Sequence, residues 1–179
     1  MSMRPEMGSE IRRNCAAGEL LLVEPKMIHI RQVRPIYMIR QAYEQVFSPS
    51  EDEAPRMGFL EADLARFING NFITVARGIE KTCTLKPLTP EMQEVWEIRS
   101  RDPDPAIRVF GRFAAPDVLI ATNVEYRKFL GRLRSRGWAI EIALCKARWN
   151  KLFPYLPPHS GGTLSEYISS NVIDLDLVV

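Results

Sequence analysis

The spacing of apolar residues changes period twice along the 179-residue chain, and those changes divide it into elements. Leu20-Leu21-Leu22-Val23 is an apolar run of strand length, and residues 27–33 read as a second short strand after Pro25. Pro35 suits the first turn of a helix, and Ile36, Ile39, Tyr43 and Phe47 then follow at helical spacing. Ser48-Pro49-Ser50-Glu51-Asp52-Glu53-Ala54-Pro55 interrupts this stripe with two prolines and three acids, the composition of an exposed connection. Leu60, Leu64, Phe67 and Ile68 resume it, and Gly70 stands where a C-cap belongs. The expectation is a helical hairpin, 36–47 and 59–69, joined by an acidic loop.

After a β-prone patch at 71–75 the period falls to two. Trp96-Glu97-Ile98-Arg99-Ser100-Arg101 alternates apolar and polar residues, Asp102-Pro103-Asp104-Pro105 makes a turn, and 107–113 alternates again. Val118-Leu119-Ile120-Ala121-Thr122, after a second turn, is apolar on both faces, as a covered strand is. These three segments predict an antiparallel meander. Helical spacing returns at Trp138, Ile142, Cys145, Trp149 and Leu152-Phe153, and Pro154, Pro157 and Pro158 stop it. The predicted class is α+β: a helical hairpin packed on a small antiparallel β-meander followed by an amphipathic C-terminal helix. One domain covers 19–153, between a flexible arm at 1–18 and a Pro/Gly-rich extension at 154–179. Within that extension, 164–173 holds a last short element, and 174–179 pairs as an edge strand or dangles.

Composition narrows the chemistry. Hydrophobic residues make up 46% and charged residues 26%, enough to bury a core without staples. Cys15, Cys83 and Cys145 are more than sixty residues apart, no CxxC pair occurs, and His29 and His159 are the only histidines. No metal site and no cofactor are expected from that set. His29 reads as a core histidine and His159 as a loop residue. No apolar run approaches the ~20 residues that span a bilayer. A cytoplasmic protein with no membrane contact is the expectation. GxSxG, P-loop, GxGxxG and HExxH signatures are all missing.

Charge distribution changes the picture more than any motif does. The net charge is +2, yet residues 106–152 hold ten Arg or Lys against three acids, an excess of seven. Alternation sends Arg99 with Arg101, and Arg108 with Arg112, to the sheet face opposite the main apolar set. Four guanidinium groups on one face call for an anionic partner, phosphate above all, or for nearby carboxylates. Next to them, Glu125-Tyr126-Arg127-Lys128 ends the third strand. It offers what metal-free RNA cleavage needs: a base, positive charge for the phosphorane and a proton for the leaving oxygen. A solvated, charged helix start at 125–136 explains the same residues without chemistry.

Over roughly residues 60–150 the sequence resembles the RelE/ParE toxin superfamily, in its HigB-like, phage-derived branch. The resemblance lies in Lys86-Pro87-Leu88, then Val95-Trp96-Glu97-Ile98-Arg99, Ile107-Arg108-Val109-Phe110, Asp117-Val118-Leu119-Ile120-Ala121-Thr122 and Tyr126-Arg127-Lys128, in that order. Glu141-Ile142-Ala143-Leu144 and Lys146 stand where that family's charged helix lies. The resemblance implies a RelE-like fold and a toxin-like mRNA endoribonuclease, acting on the ribosome or on free RNA and neutralised by an antitoxin protein. It implies phosphate contacts from Arg99, Arg108 and Arg112, and proton transfer and charge stabilisation from Tyr126, Arg127 and Lys128. Arg101, Arg132, Arg134, Arg136 and Lys146 are the expected nucleic-acid contacts around them. Two other readings fit the sequence: a non-catalytic module of this fold that binds nucleic acid or a protein, and a phage or plasmid accessory protein whose basic surface assembles with other subunits.

Overall fold

The structure is a computed structural model that describes residues 3–24, 32–77, 82–88, 93–132 and 135–177. Most of the strand expected at 27–33, with His29, and Arg134 lie outside the described residues. The elements run α1 (Pro5–Ala16), β1 (Leu20–Leu22), β2 (Ile36–Ile39), α2 (Arg40–Phe47), α3 (Ala54–Ile68), β3 (Ile73–Val75), β4 (Leu85–Pro87), β5 (Trp96–Ser100), β6 (Ile107–Ala115), β7 (Val118–Tyr126), α4 (Arg136–Leu152) and β8 (Val172–Asp174). The fold is α+β. Its strands form one mixed sheet in the order β1-β2-β7-β6-β5-β4-β3-β8.

The antiparallel meander β5–β6–β7 is the middle of that sheet. Ser100, Ile107 and Tyr126 are in register, as are Arg99, Arg108 and Glu125, and Glu97, Phe110 and Asn123. The ladder between β6 and β7 is irregular after Phe110, where Gly111 approaches the partner strand closely. A Cβ on Gly111 would sit 2.6 Å from the Ile120 carbonyl oxygen, so the approach depends on its missing side chain. The turn back into β7 is made by Asp117 at φ 64, a conformation aspartate tolerates better than most residues.

The sheet reaches well beyond the meander. β2 pairs parallel to β7 and β1 pairs antiparallel to β2, while β4 extends the other side, followed by β3 and β8 in parallel pairings. Period-two alternation gives the sheet two apolar faces, and helices cover both. Ile98, Ile107, Val109, Phe113 and Leu119 are buried with Val46, Leu60, Leu64 and Phe67 of the α2–α3 hairpin. On the other face Ala114 and Ile120 meet Met7 and Ile11 of α1 and Trp149 and Leu152 of α4. Farther along α4, Trp138 and Cys145 cover Phe110. Each fully buried Leu, Ile or Phe contributes about 1.5–3 kcal/mol. The larger cluster, under the hairpin, therefore supplies most of the apolar stabilisation.

Three expectations are corrected. The stretch expected as a flexible arm at 1–18 contains α1, Pro5–Ala16, which belongs to the core: Met7 and Ile11 are 0% and 3% exposed. Asn14 extends their i, i+4, i+7 stripe and donates from Nδ2 to the Leu152 carbonyl at 3.0 Å, tying α1 to the end of α4. Residues 36–39 are strand, not helix, because Ile36 and Met38 pack under the hairpin while their backbone joins β7; the helix starts only at Arg40. The third concerns the size of the sheet, eight strands among the described residues rather than three. The C-terminal extension supplies one of them and buries Leu164, Tyr167 and Ile168. Arg34, fully buried, binds that tail to α3: its guanidinium donates to the carbonyls of Phe67, Asn71 and Ser170 and lies 3.9 Å from Asp117.

Candidate nucleic-acid interface

Alternation does place Arg99, Arg108 and Arg112 on one sheet face, and the same alternation brings a carboxylate among them. Glu97, two residues before Arg99 and diagonal to Arg108, is 1% exposed. Its Oε2 lies 3.1 Å from Arg108 Nε and its Oε1 lies 3.4 Å from Arg99 Nε. Arg108 also donates to the Ile107 carbonyl at 2.9 Å. Burial pushes the Glu97 carboxyl up and the Arg108 guanidinium down to about 10, while each pulls the other back toward its charged form. Both directions say the same thing: desolvation outweighs the attraction of the pair. Arg99 further donates to the Cys83 sulfur at 2.9 Å.

Arg112 turns inward as well. It donates to the Gln93 and Glu94 carbonyls at 2.8 and 3.4 Å and lies 5.4 Å from the Trp149 ring centroid. Arg108 and Arg112 are 4% and 7% exposed, so their donors hold β6 to its neighbours rather than face solvent. Arg101, one residue past β5, is exposed.

Tyr126 stands on the opposite face of the sheet. It is in register with Ile107 and packs against the hairpin cluster, and its hydroxyl donates to Glu53 Oε1 at 3.3 Å. Burial and the Glu53 carboxylate raise its pKa, which makes the phenol a poorer base at neutral pH. The sheet therefore separates Tyr126 from Arg99, Arg108 and Arg112. The six residues named for cleavage do not share one approach to a phosphate.

What the structure does gather is the basic segment after β7. A 3-10 turn at Arg127–Phe129 follows Tyr126 directly, and Lys128, Phe129, Arg132 and Arg136 are all exposed. Lys128 Nζ lies 5.0 Å from the Phe129 ring and 5.4 Å from the Tyr126 ring, and those two rings meet edge to face at 6.2 Å. Arg127 stacks 5.5 Å from Trp138 and donates to the Gly131 carbonyl, which fixes the turn against α4. No acid occurs between 126 and 136, and Arg136 sits in the first turn of α4, where the helix dipole is already positive. Two carboxylates flank the start of this segment: Glu125 Oε1 accepts from the Tyr126 backbone N–H at 2.7 Å, and Glu53 of the 51–53 loop accepts from the Tyr126 hydroxyl. Lys146 is apart from this group: it lies ten residues, about 15 Å, along α4 from Arg136. There its Nζ contacts Gln93 Oε1 at 3.5 Å.

Two residues of this region carry weaker signals in the sequence. Phe129 is an apolar residue inside a charged run and is 65% exposed in the structure. Glu97 shares the arginines' alternation and is visible there, but its burial depends on what covers the sheet. Among the described residues no three His, Cys, Asp or Glu side chains are placed to hold a metal ion. Among them, too, no helix is long and apolar enough to cross a membrane. Compared with protein-family models, with curated proteins and with solved structures, the chain matches none, and the RelE/ParE resemblance stands on its short motifs alone.

Proposed function

We propose that this chain is a binding module for single-stranded nucleic acid, RNA in the reading its resemblance favours, and that it does not cut the strand. The observation that carries the reading is the exposed Lys128–Phe129 pair beside Tyr126, continued by Arg132 and Arg136 with no intervening acid. Cations that follow a phosphate backbone, interleaved with rings on which bases stack, are the working parts of sequence-tolerant single-strand binding. The α2–α3 hairpin against the β5–β7 meander supports a RelE-like ancestry for this surface, with α1, β8 and the outer strands as additions.

A cleaving version, a toxin-like mRNA endoribonuclease held by an antitoxin, needs Arg108 and Arg112 to reach a phosphate. Both donate to internal partners, and Tyr126 is on the other face. Binding without cleavage is therefore the reading we adopt. It is tested with labelled RNA and DNA oligonucleotides of equal length, following both bound fraction and strand integrity. Salt-sensitive binding of intact strands is the expected outcome, and shortened products that depend on Arg99 and Lys128 would restore the endoribonuclease.

A further inference from the structure

A second feature lies at the same end of the sheet. Ser100, Ile107 and Tyr126 are aligned across β5, β6 and β7, so Arg101 and Arg127 each leave the sheet one residue later. Two strand spacings, about 10 Å, separate them. Between Arg101 and α3 opens a cleft of about 570 Å³, within the roughly 300–1,000 Å³ of small-molecule sites.

Its lining is unusual for a surface depression. Phe59 from α3 and Phe72 before β3 border it, 54% and 69% exposed. Arg66 on α3 and Arg101 past β5 bring exposed guanidinium groups from opposite walls, and Arg99 lies deeper. Asp63 and Asp102 are there too, and Arg99 is already held by Glu97 and the Cys83 sulfur, so the two exposed arginines stand beside two carboxylates. That balance does not suit a long polyanion. It suits a group carrying one phosphate, bound by guanidinium, with carboxylates left to accept from amino groups. A flat ring on Phe59 or Phe72 supplies the remaining contact, since every base has a face to stack.

We propose that the cleft takes one unstacked nucleotide of the bound strand, its base against Phe72 and Phe59 and its phosphate between Arg101 and Arg66. This rests on the reading of the 126–136 segment as a strand-binding surface, and it adds that the ligand must present a splayed base. A duplex, whose bases are stacked and paired, cannot fill it.

The experiment titrates the full chain with adenosine 5′-monophosphate by calorimetry, and in parallel with a labelled single-stranded oligonucleotide and its duplex. Two variants are compared with the native chain: Phe72→Ala/Arg101→Ala, both exposed positions outside the core, and Lys128→Ala/Arg132→Ala/Arg136→Ala. The mononucleotide should bind the native chain and lose about tenfold or more in affinity in the first variant, as expected when a stacking ring is removed. The second variant, defective for the strand, should still take the mononucleotide, and the native chain should prefer the single strand to the duplex. No mononucleotide binding, binding unchanged in Phe72→Ala/Arg101→Ala, or inorganic phosphate binding as tightly as the mononucleotide would each overturn the cleft assignment. Strand binding unaffected by the triple variant would instead sink the surface on which the inference rests.

Discussion

Arg108 and Glu97 meet diagonally across β6 and β5, Nε to Oε2 at 3.1 Å, with 4% and 1% of their surfaces exposed. The contact converts what looks in sequence like a basic catalytic face into an internal ion cluster. It also sets the first prediction. Glu97→Gln leaves the buried Arg108 and the part-buried Arg99 without their carboxylate, and breaking the buried Glu97–Arg108 pair costs about 3–5 kcal/mol. A urea midpoint that drops accordingly supports a structural role. A variant as stable as the native protein would show that the two arginines reach solvent or another anion.

Helix α1 is expected to behave as core. Ile11 is 3% exposed among Leu20, Trp149 and Phe153, so Ile11→Ala should cost about 2–5 kcal/mol, the range for large-to-small core substitutions. An arm lying loosely on the surface would lose under about 0.5 kcal/mol, the usual scale of surface changes. Denaturant unfolding separates the two.

Cys145 gives a pH-dependent signature. Burial pushes its thiol up to about 11, against smaller opposing pulls from the Thr122 hydroxyl and the Arg112 and Arg148 guanidinium groups. A raised value in the folded state means its contribution is complete below the ordinary thiol value and is lost as pH rises through about 11. At pH 8 a thiol reagent should leave Cys145 unmodified until the protein is unfolded, and unfolding midpoints should fall between pH 9 and 11 less steeply in Cys145→Ala. Rapid labelling of native Cys145 at pH 8 would contradict its placement under α4.

How far the sequence announces this structure differs from element to element. The meander is legible because Ile98, Ile107, Val109 and Phe113 alternate with charged residues and two Pro-Asp turns bound the strands. Helix α4 is equally clear, since Trp138, Cys145, Trp149 and Leu152 keep one buried stripe along the seventeen-residue helix. Residues 36–39 deceive because Ile36 and Ile39 fit a helical stripe with Tyr43, while the pairing that makes them strand is with Leu119–Ala121, some eighty residues away. Local periodicity holds no record of such partners. The same limit affects the site. Alternation tells which face Arg108 and Arg112 take, but only the position of α4 and of Glu97 tells that this face is covered. The basic segment at 127–136 needs no long-range partner to be basic, and of its described residues Lys128, Arg132 and Arg136 are exposed.

The acidic loop should temper that segment. Glu53 accepts from Tyr126, whose ring holds Lys128, so its negative charge lies beside the proposed path of the strand. Glu53→Gln should tighten oligonucleotide binding about twofold at low salt, the effect of one unit charge several ångströms away in water, and the gain should fade as salt is added. An unchanged or weaker affinity would place the strand elsewhere on the molecule.

The most direct test of the central claim is the salt dependence of single-stranded RNA binding by the native chain beside Lys128→Ala/Arg132→Ala/Arg136→Ala. All three side chains are exposed, so the variant should fold. The native chain should bind intact RNA with affinity that falls steeply as salt rises. In the variant, affinity should drop and the slope of log affinity against log salt should flatten by about 2, as three lost phosphate contacts on a single strand require. Equal affinity and equal slope in the two proteins would contradict the account, as would RNA that is cut by the native chain.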